Sequence, residues 1–138
     1  MQVFLPYPSF EQSLRCLDYR RLGKQRVEAS QILRTLTEGR KAWRNHPAVL
    51  MFKGHTGALG LYYNLCIDEW TSRGYRNNMA HWPLNSPKQL MPQWLGDEQF
   101  HASHRSNLLR KDPVFYGRYG WTEGPNLPYV WPVRKGTS

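Results

Sequence analysis

Apolar residues recur three and four apart at Leu14, Leu17, Ala29, Ile32, Leu33 and Leu36, the spacing of one buried helical face. This pattern predicts a long first helix over residues 10–37. Ser9 is placed as its N-cap and Gln12 at the capping-box position. Glu38-Gly39 ends it, and Gly23 marks a kink or a close approach inside it. A second stripe, Leu59, Tyr62, Tyr63, Leu65, Cys66 and Trp70, predicts a helix from Thr56 to Ser72 that stops at Gly74. A third helix fits Asp97 to Lys111, with Phe100, His104, Leu108 and Leu109 as its inner stripe and Pro113 as its stop. Between these lie two stretches without a period. Residues 39–54 form a basic loop, and residues 74–96 form a long Pro-, Asn- and Trp-rich loop with one helical turn at 77–81. Met1 to Pro8 reads as an extended arm tucked against the body, and residues 123–138 as an ordered extended tail. The expected fold is mainly α: a compact single-domain three-helix bundle over residues 1–138, with long loops and an extended C-terminal tail.

Charge adds a direction to this picture. The net charge is +9, and residues 15–44 hold nine Lys or Arg against the three acids Asp18, Glu28 and Glu38. Such clustering favours a polyanionic partner. Within it, Arg21, Lys24, Gln25 and Glu28 fall on one helical face, because residues three and four apart are neighbours. Arg20 and Arg26 add two more cations within seven residues. The bland alternative is a solvated surface face with Glu28 as an ion-pair partner. Near the other end, Tyr116-Gly117-Arg118-Tyr119-Gly120-Trp121 interleaves aromatic and basic residues, a composition that suits base stacking beside phosphate contact. Packing of those rings on the bundle is the competing expectation.

Several chemistries drop out. His101 and His104 are three apart on a helix, but no HExxH, CxxC or acidic cluster accompanies them. They read as core-capping or phosphate-contacting residues, and no metal or cofactor is expected. No GxGxxG, Walker sequence or nucleophile elbow occurs. Cys16 and Cys66 sit at apolar-periodic positions and read as buried thiols. No apolar run reaches the length of a membrane span, and the N-terminus lacks the pattern of a signal peptide. The expected setting is cytoplasmic, as a monomer without an obligate protein partner.

The chain resembles the pyrimidine-dimer DNA glycosylase family, to which phage endonuclease V belongs. The resemblance rests on the N-terminal arm, on Tyr19-Arg20-Arg21-Leu22 followed by Arg26 in the first helix, and on the third helix leading into Phe115-Tyr116-Gly117-Arg118-Tyr119-Gly120. A bacterial and phage branch of the family is the nearer match. It carries the segment Arg21-Leu22-Gly23-Lys24-Gln25-Arg26-Val27-Glu28, together with Asn45-His46-Pro47 and Ser103-His104-Arg105-Ser106-Asn107-Leu108-Leu109. The resemblance implies excision of a damaged or modified pyrimidine from double-stranded DNA, with lyase activity through a Schiff base on an N-terminal amine. An α-amine is far less basic than lysine, ordinarily titrating at about pH 8, and is partly neutral at pH 7. Family members use a Thr amine exposed by Met removal. Here residue 2 is Gln, whose bulk blocks that removal, so the resemblance implies the amine of Met1. The family carboxylate would fall on Arg21. Glu28 is therefore the preferred catalytic acid, and Asp18 stays open as the other acid or as an ion-pair partner for Arg21 or Arg15. The expected DNA contacts are Arg20, Arg21, Lys24, Gln25, Arg26, His46, His104, Arg105, Arg110, Lys111, Tyr116, Arg118 and Tyr119. Two alternatives remain: a non-catalytic DNA-binding module of the same fold, and an enzyme acting on modified nucleosides or nucleotides.

Overall fold

The first predicted helix is two helices, and the break has a local cause. In the computed structural model, which describes residues 1–84 and 91–133, α1 (Phe10–Arg15) stops where the Arg73 guanidinium takes its last carbonyls. Nη2 donates to Leu14 O (3.2 Å) and Arg15 O (3.0 Å), and Nη1 to Leu17 O (2.8 Å). Asp18 then turns to extended backbone, φ −65° and ψ 160°, and caps α2 (Tyr19–Glu38) through its carboxylate. Ser9 caps α1 as expected. Gly39 closes α2 at φ 66°, in the left-handed region that glycine favours.

Four further helices follow among the described residues: α3 (Pro47–Leu50), α4 (Thr56–Ser72), α5 (Glu98–Lys111) and α6 (Pro113–Gly117). The fold is mainly α, with no strand among the described residues, but six helices replace the expected three. The basic loop contains α3, and residues 77–81 form no helical turn. The 123–138 tail is described only to residue 133, and its last five residues lie outside the described set, as do residues 85–90 of the long loop. No helix among the described residues is long and apolar enough to cross a membrane.

Helix α2 packs along α4. Gly23 makes that approach possible: a Cβ there would lie 3.0 Å from the Trp70 ring. Leu22, Ala29, Ile32 and Leu33 of α2 meet Leu59, Tyr62, Cys66 and Ile67 of α4 in one core. Cys16 and Cys66 are buried free thiols, and burial pushes Cys16 up to about 12, so it is an inert thiol at neutral pH.

The N-terminal arm runs through the interior. Val3 and Leu5 are fully buried, so their peptide groups need partners, and an arm outside any sheet must find them on side chains. Phe4 N–H donates to Gln25 Oε1 (2.9 Å), and Gln25 Nε2 returns a bond to Gln2 O (3.0 Å). The Tyr62 hydroxyl lies 2.9 Å from Phe4 O and 2.8 Å from Gln25 Oε1. Leu5 N–H donates to His104 Nδ1 (2.8 Å), while His101 Nδ1 donates to Leu5 O (2.7 Å). Arg105 Nη1 donates to Pro6 O (2.7 Å). The same helix holds the tail on its other side. Leu127 N–H donates to Ser106 Oγ (2.9 Å), Val130 N–H to Ser103 Oγ (3.1 Å), and Asn107 Nδ2 to Leu127 O (3.1 Å). Helix α5 therefore buries a polar face because it lies between two irregular backbones that lack ladder partners.

Candidate active site

The first three turns of α2, the start of the arm, the α5–α6 junction and the tail line a cleft of about 890 Å³. Its volume is in the range that holds a small-molecule ligand. Arg20, Arg21, Lys24 and Lys111 place four cations around it, and Phe4, Tyr19, Phe115, Tyr129 and Trp131 supply aromatic walls. Three carboxylates line it, and two have structural partners. Asp18 caps α2, pairs with Arg21 Nη1 (3.1 Å) and accepts from the buried Tyr116 hydroxyl. Those hydrogen bonds overcome its burial and hold its carboxyl below the usual range. Asp112 caps α6 by accepting from Phe115 N–H.

Glu28 is the third carboxylate, and it pairs with no cation among the described residues. Its Oε2 accepts from the Gln2 backbone N–H (3.2 Å) and from Gln25 Nε2 (3.2 Å). The carboxylate is thereby tied to the peptide unit that joins Met1 to Gln2. Gln25 is the organiser of this corner, because its one buried carboxamide fixes Gln2, Phe4 and Glu28 together. His46 shares the neighbourhood. Burial lowers its pKa, the N-terminal amine lowers it further, and Glu28 opposes both.

Of the residues expected at the site, Met1, Glu28, Arg20, Arg21, Lys24, Gln25 and Lys111 line the cleft. Several others are corrected. His104 is fully buried; its Nδ1 holds the arm, and burial depresses it to about 3, so it is neutral and cannot contact phosphate. Arg105 is buried between Glu98, Glu123 and Pro6 O, which absorb its charge and its donors. Tyr116 is a core ring with no exposed surface, so it cannot stack on a base. Gln25, although it borders the cleft, is only 1% exposed, and its carboxamide bonds the arm at Phe4 N–H and Gln2 O. Arg26 faces away from the cleft, stacked on Trp70 at 4.3 Å and bonded to Asn77 Oδ1 (2.7 Å). Tyr119 is half-buried, with its hydroxyl on Cys16 O (3.0 Å). His46 caps α3 through Nδ1, Arg110 bonds Asn107 Oδ1, and exposed Arg118 lies over Phe115 at 4.0 Å. None of these three lines the cleft.

Sequence reasoning missed the aromatic walls. Tyr19 stands 49% exposed at the rim. It stacks on Tyr75 at 6.0 Å, and Tyr75 stacks on Trp70 at 4.4 Å. Its signal was adjacency, an aromatic residue immediately before the Arg20-Arg21 pair. Tyr129 and Trp131 reach the cleft only because α5 anchors the tail backbone, which no local pattern announces. No group of three or more metal-ligating side chains occurs among the described residues.

One protein family, the pyrimidine dimer DNA glycosylases, matches the chain over residues 1–83. That span carries Met1, Gln2, Gln25 and Glu28 and leaves out α5, α6 and the tail. No curated protein and no solved structure matches the chain.

Proposed function

The chain belongs to the pyrimidine dimer DNA glycosylase family, and we propose that it excises a damaged or modified pyrimidine from duplex DNA with Met1 and Glu28 as its catalytic pair. The observation that carries this reading is the bond from the Gln2 amide to Glu28 Oε2 (3.2 Å) at the floor of a cation-rimmed cleft. A carboxylate without a cationic partner, one peptide unit from an amine, is suited to a positive transition state and to proton transfer. In the reaction, the neutral amine attacks C1′ of the extruded nucleotide. The C1′–N bond breaks, and the base leaves with that electron pair and takes up a proton. The sugar ring then opens to a Schiff base on the amine, the intermediate from which strand cleavage proceeds. Glu28 stabilises the developing charge on the sugar and moves the protons. Arg20, Lys24 and Lys111 hold the flanking phosphates, and the aromatic walls receive the base.

The test is base release from duplexes carrying pyrimidine dimers, uracil or hypermodified pyrimidines, followed by Glu28→Gln. The isostere keeps both hydrogen bonds to Oε2 and removes the charge. Turnover should fall by ~10²–10³-fold while DNA binding is kept or tightened and the melting temperature holds. Borohydride should trap a protein–DNA adduct that peptide mapping places at residue 1. Base release without trapping would remove Met1 and leave Glu28 activating water. Tight binding without release from any duplex would favour a non-catalytic module.

A further inference from the structure

Among the described residues, Trp43 has the backbone conformation that its own packing compensates least. It is the one non-glycine among the described residues at positive φ, 67°, a region that bulky side chains avoid. Burial does not compensate it, for the residue is 55% exposed. Strain of this kind persists where a side chain is held for use. The backbone holds it deliberately: His46 N–H donates to Trp43 O (2.8 Å), closing the turn ahead of α3.

Its surroundings point to an anion-bearing partner. Arg40, Lys41 and Arg44 flank it, Lys53 follows, and no acid lies between Glu38 and Asp68 in the sequence. Arg40 pairs with Glu38 at 2.8 Å. Arg44 and Lys53 line a second, smaller hollow beside the same turn. The position is tied to the main cleft through rings. Trp43 packs edge-on against His46 at 5.8 Å, and His46 against Trp131, a cleft wall, at 5.8 Å.

We infer that Trp43 is a base-stacking residue, and that the 40–46 turn is a second nucleic-acid contact that engages a nucleotide beside the one held in the cleft. An exposed indole beside Lys41 and Arg44, which form no ion pair among the described residues, has the composition of a stacking platform, in which the ring meets any base and the cations meet the backbone. The inference rests on the proposed action on duplex DNA, and it adds a residue outside the cleft.

The experiment compares wild type, Trp43→Ala, Trp43→Phe and Trp43→Gly on a duplex with a reduced abasic site flanked by 2-aminopurine. Trp43→Ala should weaken binding by about 5- to 150-fold without changing the salt slope, because no charge is lost. Trp43→Phe should recover most of the affinity. The 2-aminopurine emission should be quenched by wild type and less so by the Ala and Gly variants. Trp43→Gly should melt no lower than wild type, since glycine accepts the positive φ, yet bind as weakly as Trp43→Ala. Equal affinity and quenching for all four proteins would overturn the stacking role while leaving the reading of the cleft in place. Failure of wild type itself to bind the duplex would overturn both.

Discussion

Helices α2 and α5 look alike as sequences and do opposite things. Each alternates apolar residues with cations, amides and small polar side chains, and each was expected to contact DNA. On α2, Arg20 and Lys24 line the open cleft, and Glu28 lines it too, paired with no cation among the described residues. On α5, His101, Ser103, His104, Arg105, Ser106 and Asn107 are all buried. The difference lies in what each helix packs against. Helix α2 packs mainly on the regular, self-satisfied helix α4, so its core side is largely apolar and its polar face is free apart from Gln25, which serves the arm. Helix α5 meets the arm and the tail, whose peptide groups have no ladder, so its polar side chains become their partners. A buried donor or acceptor without a partner costs ~1–3 kcal/mol, and α5 meets that need at several points along both segments. Polarity on a helix thus marks function only where the neighbouring backbone is already satisfied.

The sharpest way to break this comparison is Arg105→Ala. If α5 is scaffolding, the change leaves Glu123 buried without its cation and Pro6 O without its donor, and denaturant titration should show a loss of ~3–5 kcal/mol. A variant of normal stability with a flattened salt dependence of DNA binding would move α5 to the interface and erase the contrast.

Tyr116→Phe tests the same division at the junction with α2. The hydroxyl receives the Asp18 N–H (3.1 Å) and donates to the Asp18 carboxylate, which caps α2. Its loss should cost ~1–3 kcal/mol, and the ring's packing should keep the fold. If stability is unchanged and DNA affinity falls, the ring reaches the ligand.

His104 offers a pH signature. Its folded pKa of about 3 lies below the unfolded value of 6.5 because burial opposes the charge, so below pH 6.5 the unfolded chain binds the extra proton. The stability that depends on neutral His104 is complete above pH 6.5 and is lost as pH falls toward 3. The slope is at most ~1.4 kcal/mol per pH unit. Asp18, with its pKa lowered from 3.8, loses its contribution mainly below that value. His46 and His101, also lowered from 6.5 by burial, share the limb above pH 4, so His104 is isolated by the difference between wild type and a variant. His104→Asn should remove one proton's worth of slope between pH 4 and 6. An unaltered slope would mean that His104 already titrates in the fold and is not sealed in.

What was legible in the sequence followed the same line. The helix expected from near Thr56 to about Ser72 is there as Thr56–Ser72, because its stripe packs on another regular helix and Gly74 marks its end. The buried thiols were readable for the same reason, since apolar periodicity reports burial, and the tucked arm from its short apolar run broken by Pro6 and Pro8. The face carrying Lys24, Gln25 and Glu28 was readable from helical spacing. The break at residues 16–18 was not, since the guanidinium that ends α1 comes from Arg73, far along the chain. Nor was the burial of α5 readable. Its inner stripe of Phe100, His104 and Leu108 was placed correctly, but Ser103, Ser106 and Asn107 resemble a solvated face unless the tail's need for donors is known.

The smallest expected effect tests the α2 side. Lys24 is exposed at the rim and forms no ion pair among the described residues. Lys24→Ala should therefore change stability by no more than ~0.5 kcal/mol, since it removes no buried contact and alanine favours the helix. Its effect should appear in binding alone. Each phosphate contact contributes ~0.9 to the slope of log affinity against log salt, so the slope should fall by about that amount, equally for damaged and undamaged duplexes. The pairing with Arg105→Ala makes the result informative: one cation should move only the salt slope and the other only the unfolding midpoint. A slope that Lys24→Ala leaves unchanged would take the first turns of α2 out of contact with phosphate, and the cleft would then have to bind its ligand through the aromatic walls and Lys111.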